Sequence, residues 1–120
     1  MQDYKKITAW KASFDFIPKL YKVTQSFPEN EKYGLVSQVR RAAVSVSSNI
    51  AEGAGRGSNA DFVRFLDIAI GSAFEVECQL LVAKELGFAE TEKIEELLVE
   101  IDSVKKLIYG FARVLRLSAT

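Results

Sequence analysis

The sequence predicts an all-α protein, an antiparallel up-down-up-down four-helix bundle that occupies residues 1–120 as a single domain. Four separate segments carry apolar residues every three or four positions, which is the helical period. No segment shows the strict alternation of a strand, and the connections between the segments are short. The chain has 120 residues, of which 48% are hydrophobic and 27% are charged. That length and composition suit one sizeable core in an ordinary soluble domain.

The first segment runs from about Thr8 to Gln25. Its apolar stripe predicts a helix and consists of Trp10, Phe14, Ile17, Leu20, Tyr21 and Thr24. Pro18 lies inside this stripe, and an interior proline removes one backbone hydrogen bond at a cost of about 3 kcal/mol. We therefore expect a kink at Pro18, or a break after which the helix starts afresh.

The second segment begins at Glu31 or Leu35 and ends near Arg56. One face of the predicted helix is apolar and consists of Leu35, Val39, Ala42, Ala43, Val46 and Ile50. Another face is polar and consists of Ser37, Arg41, Ser45, Asn49, Glu52 and Arg56. Gly55 and Gly57 can adopt the left-handed conformation that ends a helix, so we expect them to close this one.

The third and fourth segments each show an apolar seam. Ser58 begins the third with the capping-box pattern "SNAD", and Gly87 is its expected C-terminal cap. Its seam consists of Phe62, Leu66, Ala69, Ala73, Val76, Leu80 and Ala83. The fourth runs from about Thr91 to Leu117, with glutamates in its first turns, where the helix dipole favours them. Its seam consists of Ile94, Leu97, Leu98, Ile101, Val104, Ile108, Phe111 and Leu115.

The formal net charge is zero, but the predicted topology separates the charges. One end of the bundle, the basic pole, collects candidate nucleic-acid contacts: Lys5, Lys6, Arg56, Arg64, Arg113 and Arg116. The opposite end is rich in glutamate. Two interpretations stay open: the charges complement the helix dipoles, or the basic pole contacts phosphates.

The sequence favours a protein without catalytic activity, metal, cofactor or small-molecule substrate. It contains no histidine, which is the commonest general base and metal ligand. The glycines of "EGAGRGS" follow no strand and lack the spacing of a phosphate-binding loop. Cys78 has no histidine partner, so we interpret it as a small buried hydrophobe. With one cysteine, no signal-peptide hydrophobic region and no long apolar run, we expect a cytoplasmic protein without a membrane segment.

A polar stripe on the second and third segments needs partners. It consists of Arg40, Arg41, Ser45, Asn49, Glu52 and Glu75. An unpaired buried charge is costly, so we expect Arg40 or Arg41 to pair with Glu75. The small residues beside the stripe allow another backbone to approach closely. Either the stripe is an internal network that fixes helix register, or it is an interface with another subunit.

The stretch "YGLVSQVRRAAVSVSSNIAEGAGR", followed by "FLDIAIGSAFEVE", resembles the "four helix bundle protein" family. Members include proteins encoded in intervening sequences of bacterial 23S ribosomal RNA genes, and the accessory variability determinant proteins of diversity-generating retroelements resemble them more distantly. The matching positions are Arg40–Arg41–Ala42, Ser45, Asn49 to Gly53, Arg56, Gly71–Ser72 and Glu75. Many members carry proline where this chain has Ser47, so the second helix should be straighter here.

The resemblance implies an antiparallel four-helix bundle that assembles into a ring, a homopentamer, and it makes RNA contact plausible. It supplies no enzymatic activity. Two hypotheses follow. The protein is either a nucleic-acid-associated oligomer that uses the basic pole, or an interaction scaffold that contacts only proteins.

Overall fold

The computed structural model describes residues 3–118, and every element in that part of the chain is helical. The four α-helices are α1 (Thr8–Thr24), α2 (Leu35–Ala54), α3 (Asn59–Glu85) and α4 (Thr91–Ser118). Short 3-10 turns at Tyr4–Lys6 and Glu29–Glu31 precede α1 and α2. The all-α prediction with four helices is confirmed, and residues 3–118 contain no strand.

The helices surround one core, and each packs against two others. The four contacting pairs are α1–α2, α2–α3, α3–α4 and α4–α1, whereas the backbones of the diagonal pairs stay apart throughout residues 3–118. The described chain measures 48 × 23 × 20 Å. Because α2 and α4 occupy opposite corners, their outward faces point to opposite sides of the molecule.

The predicted apolar seams form the core of α2, α3 and α4. All seven seam positions of α3 are buried, and in α2 only Leu35 of the predicted face is half-buried. In α4, Leu98 and Phe111 lie at the edge while the other seam residues are buried. Burying one such aliphatic or aromatic side chain contributes about 1.5–3 kcal/mol. The seam pattern therefore orients three of the four helices.

Helix α1 is rotated relative to the predicted stripe. Its buried positions are Ala9, Ser13, Phe16, Leu20 and Thr24. Phe14 and Tyr21 are 52% and 37% exposed, and the ring of Phe14 stacks outside the core on Trp10, at 4.7 Å between centroids. The predicted stripe was right for Leu20 and Thr24 and wrong for Phe14 and Tyr21, because Ser13 and Phe16 occupy inward-facing positions instead. The Ser13 hydroxyl bonds the Trp10 carbonyl at 2.7 Å and the Ser47 hydroxyl of α2 at 2.8 Å, which satisfies both serines inside the interface.

Pro18 does not break α1, which continues as one α-helix from Thr8 to Thr24. The residue is exposed, so its ring points away from the packed faces. A proline removes the hydrogen bond to the carbonyl four residues earlier, which belongs to Phe14. Phe14 is itself 52% exposed, so this side of the helix faces solvent.

The helix ends agree with the predicted caps at two of three places. The Ser58 hydroxyl accepts the Asp61 amide at 3.1 Å, and Gly87 ends α3 with φ +70°, while the Phe88 amide bonds the Ala83 carbonyl at 3.0 Å. Gly55 is different. It follows α2 in a right-handed conformation, with φ −85°, and Gly87 is the one glycine of residues 3–118 with positive φ. The prediction of a left-handed cap after α2 was therefore wrong.

Gly53 allows α2 and α3 to approach closely at the turn that joins them. A Cβ atom at this position would lie 2.7 Å from Phe62 Cδ1 and 2.8 Å from Phe65 Cβ. Real Cβ atoms do not approach other atoms so closely, and Phe65 Cβ is fixed to the α3 backbone. The small residue is thus required by packing rather than by backbone conformation.

We expect Gly53→Ala to lower the free energy of unfolding by about 1–3 kcal/mol, because the new methyl forces α2 and α3 apart. Gly71→Ala is the matched control, since the same added atom meets nothing within 4 Å there. In the helix interior it should leave stability unchanged or raise it by up to about 1 kcal/mol. Urea denaturation followed by circular dichroism measures both, and equal effects of the two substitutions would contradict the packing argument.

Candidate interaction surfaces

Ser45 and Asn49 of the polar stripe find partners within the chain. The Ser45 hydroxyl lies 2.9 Å from the Ser72 hydroxyl of α3. The Asn49 amide donates to the Ser45 carbonyl at 2.9 Å and to its hydroxyl at 3.0 Å. The structure thus brings α3 close to this part of α2 and links the two helices by hydrogen bonds.

Arg40 lies between α1 and α2 rather than between α2 and α3. Its Nε donates to Thr24 Oγ1 at 2.9 Å and one terminal nitrogen donates to the Tyr21 carbonyl at 3.1 Å. The guanidinium carbon is 4.2 Å from the centroid of the Tyr21 ring. Arg40 therefore ties α2 to the last turn of α1, and the predicted ion pair with Glu75 is not formed.

Arg41 and Glu75 line a shallow depression of about 350 Å³ together with Gln38 and Ser45. No ion pair joins the arginine and the glutamate among residues 3–118. Instead, the Gln79 amide donates to Glu75 Oε2 at 3.3 Å and to Gln38 Oε1 at 3.4 Å. The prediction of an Arg41–Glu75 pair was therefore wrong, and the Arg41 side chain is exposed.

At the predicted basic pole, three of the six cations are paired with acids. Arg56 lies 3.3 Å from Glu52 and 3.9 Å from Asp61. Arg64 lies 3.0 Å from Asp61, and Arg116 lies 2.8 Å from Asp67. Such exposed pairs contribute about 0–1 kcal/mol each, but each acid lowers the local positive potential.

Lys5, Lys6 and Arg113 form no ion pair with the described residues 3–118. Arg56 and Arg64 also place their guanidinium carbons 4.6 and 4.8 Å from the centroid of the Phe65 ring. These contacts hold both guanidinium groups against the Phe65 ring. The structure therefore divides the predicted phosphate contacts into an anchored set and an unpaired set.

The described residues offer no site for metal chemistry: no group of three or more His, Cys, Asp or Glu side chains in 3–118 could hold an ion. Cys78 is exposed, so its interpretation as a buried hydrophobe was wrong. The seam passes through Val76 and Leu80, and Cys78 lies on the outer side of α3.

The Lys106 ammonium lies 3.1 Å from the Asp102 carboxylate, and it lowers the pKa of that carboxyl through a hydrogen bond and through its charge. None of the helices in the described part of the chain is long and apolar enough to span a bilayer.

Two surface features were not predicted from the sequence. The first is an apolar face on the outward side of α4, which includes Val99, Leu107, Val114 and Leu117. The second is a cationic groove beside the start of α2, in which Lys32 and Tyr33 join Arg40 and Arg41. Helical spacing of a second apolar stripe in α4 was the available signal for the first. The second depended on the direction of Arg40, which the sequence did not specify.

The fold and these surfaces define a protein built from four packed α-helices. More specifically, the chain belongs to the 23S rRNA-intervening sequence protein family, whose model matches residues 5–110. This confirms the resemblance seen in the sequence. A similar solved structure is a crystal structure of a protein with unknown function from the S23 ribosomal protein family of Bacteroides thetaiotaomicron. It has 24% identity and a TM-score of 0.78, over 88% of this chain and 98% of that one. No curated protein matches the chain.

We expect Arg40→Lys to destabilise the protein by about 1–2 kcal/mol, because lysine cannot reproduce the forked donation to Thr24 and Tyr21. Arg41→Lys is the matched control: it is the same substitution one residue later, at a side chain with no hydrogen bond to residues 3–118. We expect a change within about 0.5 kcal/mol there. Urea denaturation measures both, and an effect at Arg41 as large as that at Arg40 would refute the anchoring role.

Proposed function

We propose that the protein is a non-enzymatic bundle that self-associates into a closed homo-oligomer. The observation that carries the proposal is the outward apolar face of α4, where Val99, Leu107, Val114 and Leu117 are exposed and the small residues Ser103 and Gly110 lie between them. Val99, Val114 and Leu117 are 69%, 58% and 75% exposed. Contiguous apolar surface of this kind is typical of a protein interface.

The spacing of this face suits contact with another helix. Its members follow steps of three and four residues over about 27 Å of helix, from Val99 to Leu117. Gly110 has nothing within 4 Å of the place where a Cβ would lie, so a second backbone could approach there. A second copy of this chain is the occupant we propose, because the resemblance to ring-forming proteins implies a homopentamer.

We also infer the up-down-up-down order of the helices. Along three of the four contacting pairs, α1–α2, α2–α3 and α3–α4, rising numbers on one helix meet falling numbers on the other. The supporting contacts are Ser13 with Ser47 and Thr24 with Arg40, Ser45 with Ser72 and Gln38 with Gln79, and Glu77 with Lys105 and Lys84 with Glu95. This order leaves the outward face of α4 uncovered by the chain's own described helices.

We expect light scattering to give a mass several times that of the chain at micromolar concentration, and Val114→Asp to shift the protein to monomer. A carboxylate at this position would have to lose its hydration inside the interface. Val82→Asp is the matched control, because Val82 is 42% exposed but lies on α3. A monomeric parent protein, or full assembly of the Val114 variant, would refute the proposal, and circular dichroism checks that each variant is folded.

A second candidate function is RNA contact at the basic pole, and the family's link to 23S rRNA intervening sequences favours it. The unpaired cations there would make the contact, namely Lys5, Lys6 and Arg113. Each phosphate neutralised on a single strand contributes about −0.7 to the slope of log affinity against log salt. We expect the joint change of these three residues to glutamine to reduce that slope by about 2. An unchanged slope in an RNA-binding titration would remove the pole from consideration.

A further inference from the structure

We propose that the groove between the end of α1 and the start of α2 binds a single-stranded nucleic acid, separately from the basic pole. This cationic groove has a volume of about 430 Å³, and its walls include Tyr21, Lys32, Tyr33, Arg40 and Arg41. Three cations and two aromatic rings thus converge on one concave surface. None of the described side chains that line it carries a carboxylate.

The cations of the groove are oriented differently from those of the basic pole. Arg40 is fixed by its two hydrogen bonds and by the Tyr21 ring, so its guanidinium is held in place before any ligand arrives. Arg41 and Lys32 are exposed and form no ion pair with residues 3–118. At the pole, by contrast, half of the six cations are paired with acids, namely Arg56, Arg64 and Arg116. The groove therefore offers charge that no internal acid neutralises.

The nearest acids are engaged elsewhere. The Glu31 carboxylate accepts the Leu35 amide at 3.2 Å, which directs it to the start of α2. The Glu75 carboxylate accepts from Gln79 and lines the separate depression on the other side of Arg41. An anion entering the cationic groove would therefore meet donors without a built-in competitor.

The aromatic rings select the kind of anion. Tyr33 is 89% exposed, and the Lys32 ammonium lies 5.6 Å from its ring centroid. A base can stack on such an exposed ring while the neighbouring cations hold the phosphates on either side, as in proteins that bind single strands. An acidic protein segment would use the charges but leave the Tyr33 ring without a role. A duplex would hide its base faces from the ring.

The groove and the α4 face are separate surfaces of the molecule. Helices α2 and α4 stand at opposite corners of the bundle, so the residues that form the groove take no part in the proposed α4 face. The inference therefore does not depend on the proposed oligomer, and it is tested on the protein in whatever assembly it forms.

The experiment titrates the protein into a labelled oligouridylate of about twelve nucleotides and follows fluorescence anisotropy at several salt concentrations. With three phosphate contacts on a single strand, the slope of log affinity against log salt should be about −2. Lys32→Gln and Arg41→Gln should each reduce its magnitude by about 0.7. Tyr33→Ala should weaken binding about five-fold or more at constant salt, and Tyr33→Phe, which keeps the ring, should restore it.

Two controls accompany the titration. Lys106→Gln removes an exposed charge from α4, 78% exposed at the side chain and paired with Asp102, and should leave binding unchanged. Polyglutamate of matched length should compete poorly. The inference is overturned if the oligouridylate does not bind at low salt. It is also overturned if polyglutamate binds as well and Tyr33→Ala has no effect, or if only the joint Lys5, Lys6 and Arg113 variant loses binding.

Discussion

The close approach of α2 and α3 is the constraint on which the rest of the structure depends. At Gly53 there is no room for even one methyl group, since a Cβ would meet Phe62 and Phe65 at less than 3 Å. About two turns earlier in α2, the Ser45 hydroxyl lies 2.9 Å from the Ser72 hydroxyl of α3. Small residues at these positions set the distance between the two helices. The large seam residues of α3 then fill the space that remains toward α1 and α4.

This constraint explains why α2 contains so many small and polar residues from Arg40 to its end. Its inner face contributes Val39, Val46 and Ile50 to the core. Its α3 side carries the serine and asparagine hydrogen bonds, and its α1 side carries Arg40 and Ser47. One helix thus satisfies three neighbouring environments, and each environment selects a different residue type. Arg41 and Arg56, by contrast, project toward the surface.

The sequence predicted the parts of the fold that depend on local periodicity. The boundaries of α3 and α4 and the seam of α3 follow from apolar spacing and capping, because both signals lie within the helix itself. The orientation of α1 could not be predicted in the same way. Its buried positions include both small and large residues, Ala9 and Ser13 as well as Phe16 and Leu20, whereas Phe14 is exposed. Apolar spacing alone does not decide whether Phe14 or Phe16 faces inward; the packing of the neighbouring helices does.

The candidate sites depend even more than the orientation of α1 on contacts that the sequence does not specify. A chain with zero net charge contains 16 basic and 16 acidic residues, so its function depends on which of them are paired. Pairing is a property of three-dimensional contacts: Arg116 meets Asp67 across 49 positions of sequence, and Arg40 turns to α1 instead of Glu75. The cations left without acids are therefore better guides to an anionic partner than the number of cations at one end. Both the pole and the groove contain such cations. The groove has the stronger claim because its charges are accompanied by the exposed Tyr33 ring, which can distinguish one polyanion from another.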